Sequence, residues 1–102
     1  MIICVDLDGV LTKETEGWAP NVYKLREPNI ERIEILKRLV ERGHKIIIHT
    51  ARLSSEARVE TIEWLTKHRV PYDAIHFDKP FYDYYIDDKM ATLEDLGKVV
   101  DK

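Results

Sequence analysis

The sequence predicts an α/β fold, a three-layer Rossmann-like arrangement around a small central parallel sheet. Three observations carry this. Short apolar runs, first Ile2-Ile3-Cys4-Val5 and later Ile46-Ile47-Ile48, read as strands. Between them lie longer stretches with helical spacing, and that alternation makes βαβ units and a parallel sheet. Each apolar run also hands over to polar residues: Asp6 and Asp8, then Thr50, then Lys79, then Asp87 and Asp88. In an open parallel sheet those ends share one edge, where ligands bind.

The first strand covers residues 2–5 and reads as buried on both faces, with Cys4 packed as a small hydrophobe. Asp6 and Asp8 are two apart, so an extended chain would turn both carboxylates to one side. Gly9 permits the sharp turn that follows. Residues 13–26 are polar and irregular, with Trp18, Pro20 and Tyr23 among them. A segment that long without periodicity is usually a lid or binding loop. Asn29 suits a helix N-cap, and Ile30, Ile33, Leu36, Leu39 and Val40 form one apolar stripe ended by Gly43.

Residues 45–49 are the second strand. Ser54 or Ser55 caps a second helix reaching about Lys67, with Val59, Ile62 and Leu65 or Trp64 inward. Ala74-Ile75-His76-Phe77 is a short third strand, and Tyr84-Tyr85-Ile86 a fourth. The link between those two is too short for a helical crossover, so they are not expected to be sheet neighbours. Thr92 with Asp95 starts a last helix through about Val99.

The chain has 102 residues, 44% hydrophobic and 34% charged, the balance of one soluble globular domain over 1–102. Net charge is -3 with acids and bases interspersed, so neither a membrane nor a nucleic-acid surface is expected. One cysteine offers no internal disulfide, which suits a reducing cytoplasm. His44, His49, His68 and His76 show no metal-ligand spacing. His49 lies nearest the expected site and reads best as a packed histidine.

Brought to one edge, the polar residues make a site of up to four carboxylates, a hydroxyl and an ammonium. Carboxylates so crowded repel unless a cation sits among them. Hard oxygen donors favour Mg²⁺ over zinc. The bland readings are a turn pair for Asp6 and Asp8, a turn start for Asp87-Asp88, a locally bonded Thr50 and a solvated Lys79. It is the order of all of them along the chain that outweighs those readings.

That order, Asp6-Leu7-Asp8-Gly9-Val10-Leu11-Thr12, then Thr50-Ala51-Arg52, Asp78-Lys79-Pro80 and Ile86-Asp87-Asp88-Lys89, resembles the four motifs of the haloacid dehalogenase-like phosphatases. It is most similar to small cap-less members associated with sugar-phosphate or surface-polysaccharide metabolism. The resemblance implies a phosphomonoester hydrolase acting through a phosphoaspartate. Asp6 would be the nucleophile and Asp8 the general acid and base. Asp6, Asp8 (by its backbone carbonyl), Asp87 and Asp88 would hold Mg²⁺. Thr50 and Lys79 would grip the phosphoryl group, with the Gly9 turn offering backbone N–H groups. Arg52 is either a substrate arm or an ordinary salt-bridged arginine.

No gap between motifs has room for a cap domain. A phosphorylated small molecule, such as a sugar phosphate, is the expected partner, and a homo-oligomer is plausible on the resemblance. The alternatives are a nucleotide or nucleic-acid-end phosphatase, a receiver-like phospho-acceptor, and an inactive binding domain. A receiver would place its lysine last; here Lys79 precedes the final acids.

Overall fold

The computed structural model describes residues 1–13, 26–52 and 54–100, excepting the Val100 side chain. Trp18, Pro20 and Tyr23, expected in a covering loop, lie outside the described residues. The elements are β1 (Ile2–Asp6), α1 (Ile30–Glu41), β2 (Lys45–His49), α2 (Ser55–Lys67), β3 (Ala74–His76) and α3 (Leu93–Val100). The fold is α/β and Rossmann-like, with no cap among the described residues. β1, β2 and β3 form a parallel sheet in that order, α1 and α2 being the crossovers. The register sets Asp6 opposite His49, and His49 opposite His76. The carboxyl ends of all three strands therefore share one edge.

Burial alternates along the strands. Val5, Ile46 and Ile48 are buried, and Ile3 and Ile75 pack beside them. Ile33, Leu36 and Leu39 of α1, Trp64 and Leu65 of α2 and Leu93 of α3 complete this core. The expectation that β1 is buried on both faces is not met. Ile2 is 74% exposed and Cys4 is also exposed. Strand residues alternate in direction, and all three helices feed the cluster that holds Val5, Ile46 and Ile48.

The helix starts follow the sequence. Asn29 Oδ1 accepts from the Arg32 N–H at 3.2 Å, and Ser54 Oγ accepts from the Ala57 N–H at 3.1 Å. Thr92 Oγ1 accepts from the Asp95 N–H at 3.1 Å. Each cap satisfies an N–H that has no partner within its helix. Gly43 ends α1 with φ of 86°, in the left-handed region where a Cβ is costly.

The inward stripes differ in detail. Ile30 and Val40 are exposed on α1, whose inner face is Ile33, Ile35, Leu36 and Leu39. On α2, Val59 and Ile62 point outward, and Ala57, Thr61, Trp64 and Leu65 are buried. The phase turns because Thr61 satisfies its hydroxyl indoors. It donates to the Ala57 carbonyl at 2.6 Å and accepts from Arg52 Nη1 at 2.9 Å.

Residues 84–86 do not form the expected fourth strand. Tyr84 is 89% exposed and Ile86 94% exposed, and neither joins the sheet. Three residues offer few ladder bonds, and β-forming side chains hold a strand only when neighbours cover them. The third strand is also shorter than expected, stopping before Phe77.

Candidate active site

The site begins where β1 stops. Leu7 O accepts the N–H groups of Val10, Leu11 and Thr12, so the chain coils tightly just past Asp6. Gly9 takes φ of 78°, and its N–H donates to Thr12 Oγ1 at 3.0 Å. Leu11 and Lys13 then bond back to Asn29 and Glu27 at 2.8 Å each. That pairing fixes the turn against the start of α1.

Asp6 Oδ1 accepts the Leu7 N–H at 2.8 Å and lies 3.6 Å from Lys79 Nζ. Partial burial pushes the Asp6 carboxyl above its usual pKa, with Lys79 and the Leu7 N–H opposing. For Lys79, burial alone would lower the pKa. A hydrogen bond with Tyr82 and the charge of Asp6 outweigh it and hold the ammonium above its ordinary value. Lys79 reaches this place because its own N–H donates to the Thr50 carbonyl, at 3.3 Å. The chain leaving β3 is thereby tied to the end of β2.

Thr50 is 1% exposed, and among the described residues its hydroxyl has no hydrogen-bond partner. A buried hydroxyl left unsatisfied is uncommon, and this one can donate to an oxygen brought to the strand edge. Asp6, Thr50 and Lys79 thus lie at the shared strand edge, as the sequence led us to expect.

Asp8, expected as the general acid and base, is held by arginines. Arg52 grips it with two donors, Nη2 to Oδ1 at 2.5 Å and Nε to Oδ2 at 3.2 Å. Arg26 Nε lies 3.3 Å from Oδ1 as well. Arg52 is only 3% exposed, and Thr61 takes its remaining arm. Of the two roles open to Arg52, the structure shows the salt-bridged one. Arg26 and Thr61 were not singled out by the sequence. Arg26 lay at the end of an irregular stretch, and Thr61 is a polar residue among the apolar ones of a helix.

Asp87 and Asp88 are exposed. Asp87 Oδ1 accepts the Lys89 N–H at 3.0 Å, and that bond, with one from Asp88, lowers its pKa. Asp87 shares a cavity of about 740 Å³ with Asp6 and Lys79, bounded by the free edge of β1 and by residues 82–96. Asp88 is not among the residues lining it. No group of three or more His, Cys, Asp or Glu side chains is arranged to hold a metal among the described residues. The expected gathering of four carboxylates is therefore not assembled. The Asp8 carboxylate is committed to arginines, and without a fourth strand Asp87-Asp88 stand out in solvent. What remains is a two-carboxylate set, Asp6 and Asp87, facing one cavity. That set still fits Mg²⁺, which is commonly bound by one or two carboxylates, water and substrate phosphate.

Fold and site together define an α/β protein with a carboxylate–lysine centre at the carboxyl edge of a parallel sheet. A crystal structure of a structural target from Vibrio cholerae has a TM-score of 0.79 and 30% identity, over 98% of this chain and 93% of that one. At that identity and coverage, this chain belongs to the same family as the Vibrio cholerae protein. Two chains from structures of the Pnkp1/Rnl/Hen1 complex, one described as an RNA repair complex, have TM-scores of 0.59 and 0.62 at 28% identity. They match 85% and 82% of this chain, which spans only 30% and 27% of their length. No family model and no curated protein matches the chain. Among the described residues, no helix is long and apolar enough to cross a membrane.

Proposed function

We propose that the chain is one catalytic domain that hydrolyses phosphomonoesters through a phosphoaspartate on Asp6. The observation that carries this is the triple at the strand edge: Asp6 beside Lys79 at 3.6 Å, with the buried, unpartnered Thr50 hydroxyl. A carboxylate is a competent nucleophile toward phosphorus. The transfer itself needs mainly alignment and charge stabilisation. Likeness to chains of an RNA repair complex supports a phosphoryl-handling role.

In this reading the Leu7 N–H and Lys79 both engage Asp6 Oδ1 and so orient Oδ2 for attack. The Oδ2–phosphorus bond forms as the ester P–O bond breaks. Asp8 gives its proton to the leaving oxygen. Water then attacks phosphorus and returns a proton to Asp8. The acyl-phosphate bond breaks, and inorganic phosphate leaves with Asp6 restored. Thr50 and Lys79 hold the phosphoryl oxygens throughout. Arg26 and Arg52 hold the Asp8 carboxyl in place for this step. Asp6, Asp87 and the Asp8 backbone carbonyl would hold Mg²⁺, which would supply charge neutralisation there. Asp88 supports Asp87. A reducing cytoplasm suits the exposed thiol of Cys4.

The ester's organic half separates two substrate classes. The motif resemblance suggests a sugar phosphate, and the RNA-repair likeness suggests a nucleotide or nucleic-acid end.

The test is turnover of an aryl phosphate with Mg²⁺ by the parent, Asp6→Asn and Asp8→Asn. Multiple turnover in the parent alone is expected, abolished by chelator. Turnover persisting in Asp6→Asn refutes the covalent route. A stable phosphoprotein without turnover makes the chain a phospho-acceptor instead.

A further inference from the structure

The cavity beside β1 has a feature that the phosphoryl chemistry does not use. Tyr82 and Tyr85 line it together with Asp6 and Lys79. Their ring centroids are 5.3 Å apart, and each tyrosine is about half exposed, at 47% and 48%. Lys79 Nζ lies 5.3 Å from the Tyr82 centroid and 5.9 Å from that of Tyr85. The same ammonium is 3.6 Å from Asp6. One cation thus joins the phosphoryl end of the site to an aromatic wall.

Half-exposed aromatic rings beside a cation are the arrangement on which bases stack. The rest of the lining is mixed, with Ile2, Val10 and Met90 apolar and Arg32, Lys89 and Glu94 charged. A bare sugar presents hydroxyls on every side and needs converging polar partners to be chosen. A nucleoside presents one flat apolar ring. The cavity's 740 Å³ falls within the roughly 300–1,000 Å³ of small-molecule sites, with room for one nucleotide.

We propose that Tyr82 and Tyr85 form a base-stacking platform, and that the substrate is a nucleoside phosphate with its phosphate at Asp6 and Lys79. This rests on the phosphohydrolase reading for the reaction, and on the cavity alone for the ligand. The platform tolerates any base, since every base offers a π face. The nucleoside phosphate is either a free nucleotide or the phosphorylated end of a strand, and both carry the same chemistry.

The experiment has a binding arm and a turnover arm, both on the full chain. In the first, adenosine 3′- and 5′-monophosphates are compared with ribose 5-phosphate by equilibrium dialysis. At least one adenosine monophosphate should bind about tenfold tighter. Tyr82→Leu/Tyr85→Leu should reduce that ratio to near one. Both side chains are half exposed, and circular dichroism of the variant checks that the fold persists. If it does not, the parent's own ratio decides. Equal binding of adenosine monophosphate and ribose 5-phosphate by the parent overturns the platform, as does a preference unchanged in a folded double variant. In the turnover arm the same esters are scored by kcat/KM, with a short RNA bearing a terminal phosphate beside the mononucleotide to separate the two sources. Tighter nucleotide binding without turnover leaves the platform standing and removes the hydrolase. Turnover without base preference does the reverse.

Discussion

Removing Arg52 is the sharpest probe of how the first turn is held. Arg52→Ala deletes both bonds to Asp8 and the bond to Thr61. Losing one partner of a buried ion pair costs about 3–5 kcal/mol. The Asp8 side chain is 36% exposed, so water rehydrates it and the low end applies. Arg26 also remains beside it. About 3 kcal/mol is therefore expected, a fall in Tm of roughly 12–24 °C for a chain of this size. Arg52→Lys keeps the charge but not the fork, and should lose about half as much. Thermal unfolding by circular dichroism measures both. Asp8→Asn supplies the control, because Arg52→Ala should cost clearly less in that background, with coupling of about 1–3 kcal/mol. A fall in Tm of the same size in both backgrounds would reduce Arg52 to a packing residue and refute the reasoning. In the aryl phosphate assay, Arg52→Lys should lower kcat more than it raises KM, because Arg52 acts through Asp8.

Three further outcomes are expected. The Asp6 carboxyl has its pKa raised by burial, so the folded state binds that proton more tightly than the unfolded chain does. Stability therefore falls as pH rises from the ordinary carboxylate pKa through the raised one. In chelator, Asp6→Asn should melt above the parent at pH 7, and the gap should close in acid; a variant that melts below the parent at pH 7 contradicts this. The Cys4 thiol is pushed up mainly by partial burial, although the residue as a whole is exposed, and Lys79 opposes the shift. Alkylation at pH 8 should be slower than for a free cysteine, and slower again in Lys79→Gln, as followed by mass spectrometry. Trp64 Nε1 donates to the Arg26 carbonyl at 2.8 Å and so anchors the stretch that brings Arg26 to Asp8. Trp64→Phe should cost about 1–3 kcal/mol in urea unfolding, through the orphaned carbonyl and the lost volume.

Much of the fold was legible because it is local. Runs of β-branched residues, the caps Asn29, Ser54 and Thr92, and the stop at Gly43 act within a few residues of themselves. Helix phase was less legible. Val59 and Ile62 are apolar, yet the buried face of α2 follows Thr61, whose hydroxyl donates to the Ala57 carbonyl and accepts from Arg52, which arrives from β2's carboxyl end. Tyr84, Tyr85 and Ile86 read as a strand, but a strand needs a paired neighbour, and this segment finds none among the described residues. Asp6, Thr50 and Lys79 could be proposed from their order because parallel strands always deliver their ends to one edge.

By itself, then, the sequence determined three of its four expected strands, all three helices, the direction of those strands, and the edge that carries Asp6, Thr50 and Lys79. These follow from periodicity, turn residues and connection length. The tertiary structure alone decided which side chains touch. It set Arg26 and Arg52 on Asp8, left the Thr50 hydroxyl unpartnered, held Asp87 and Asp88 out in solvent, and placed two tyrosines beside Lys79. Such contacts depend on distances between segments far apart in the chain. Those distances are fixed by packing around Ile46, Ile48, Leu36 and Trp64, and no local pattern records them.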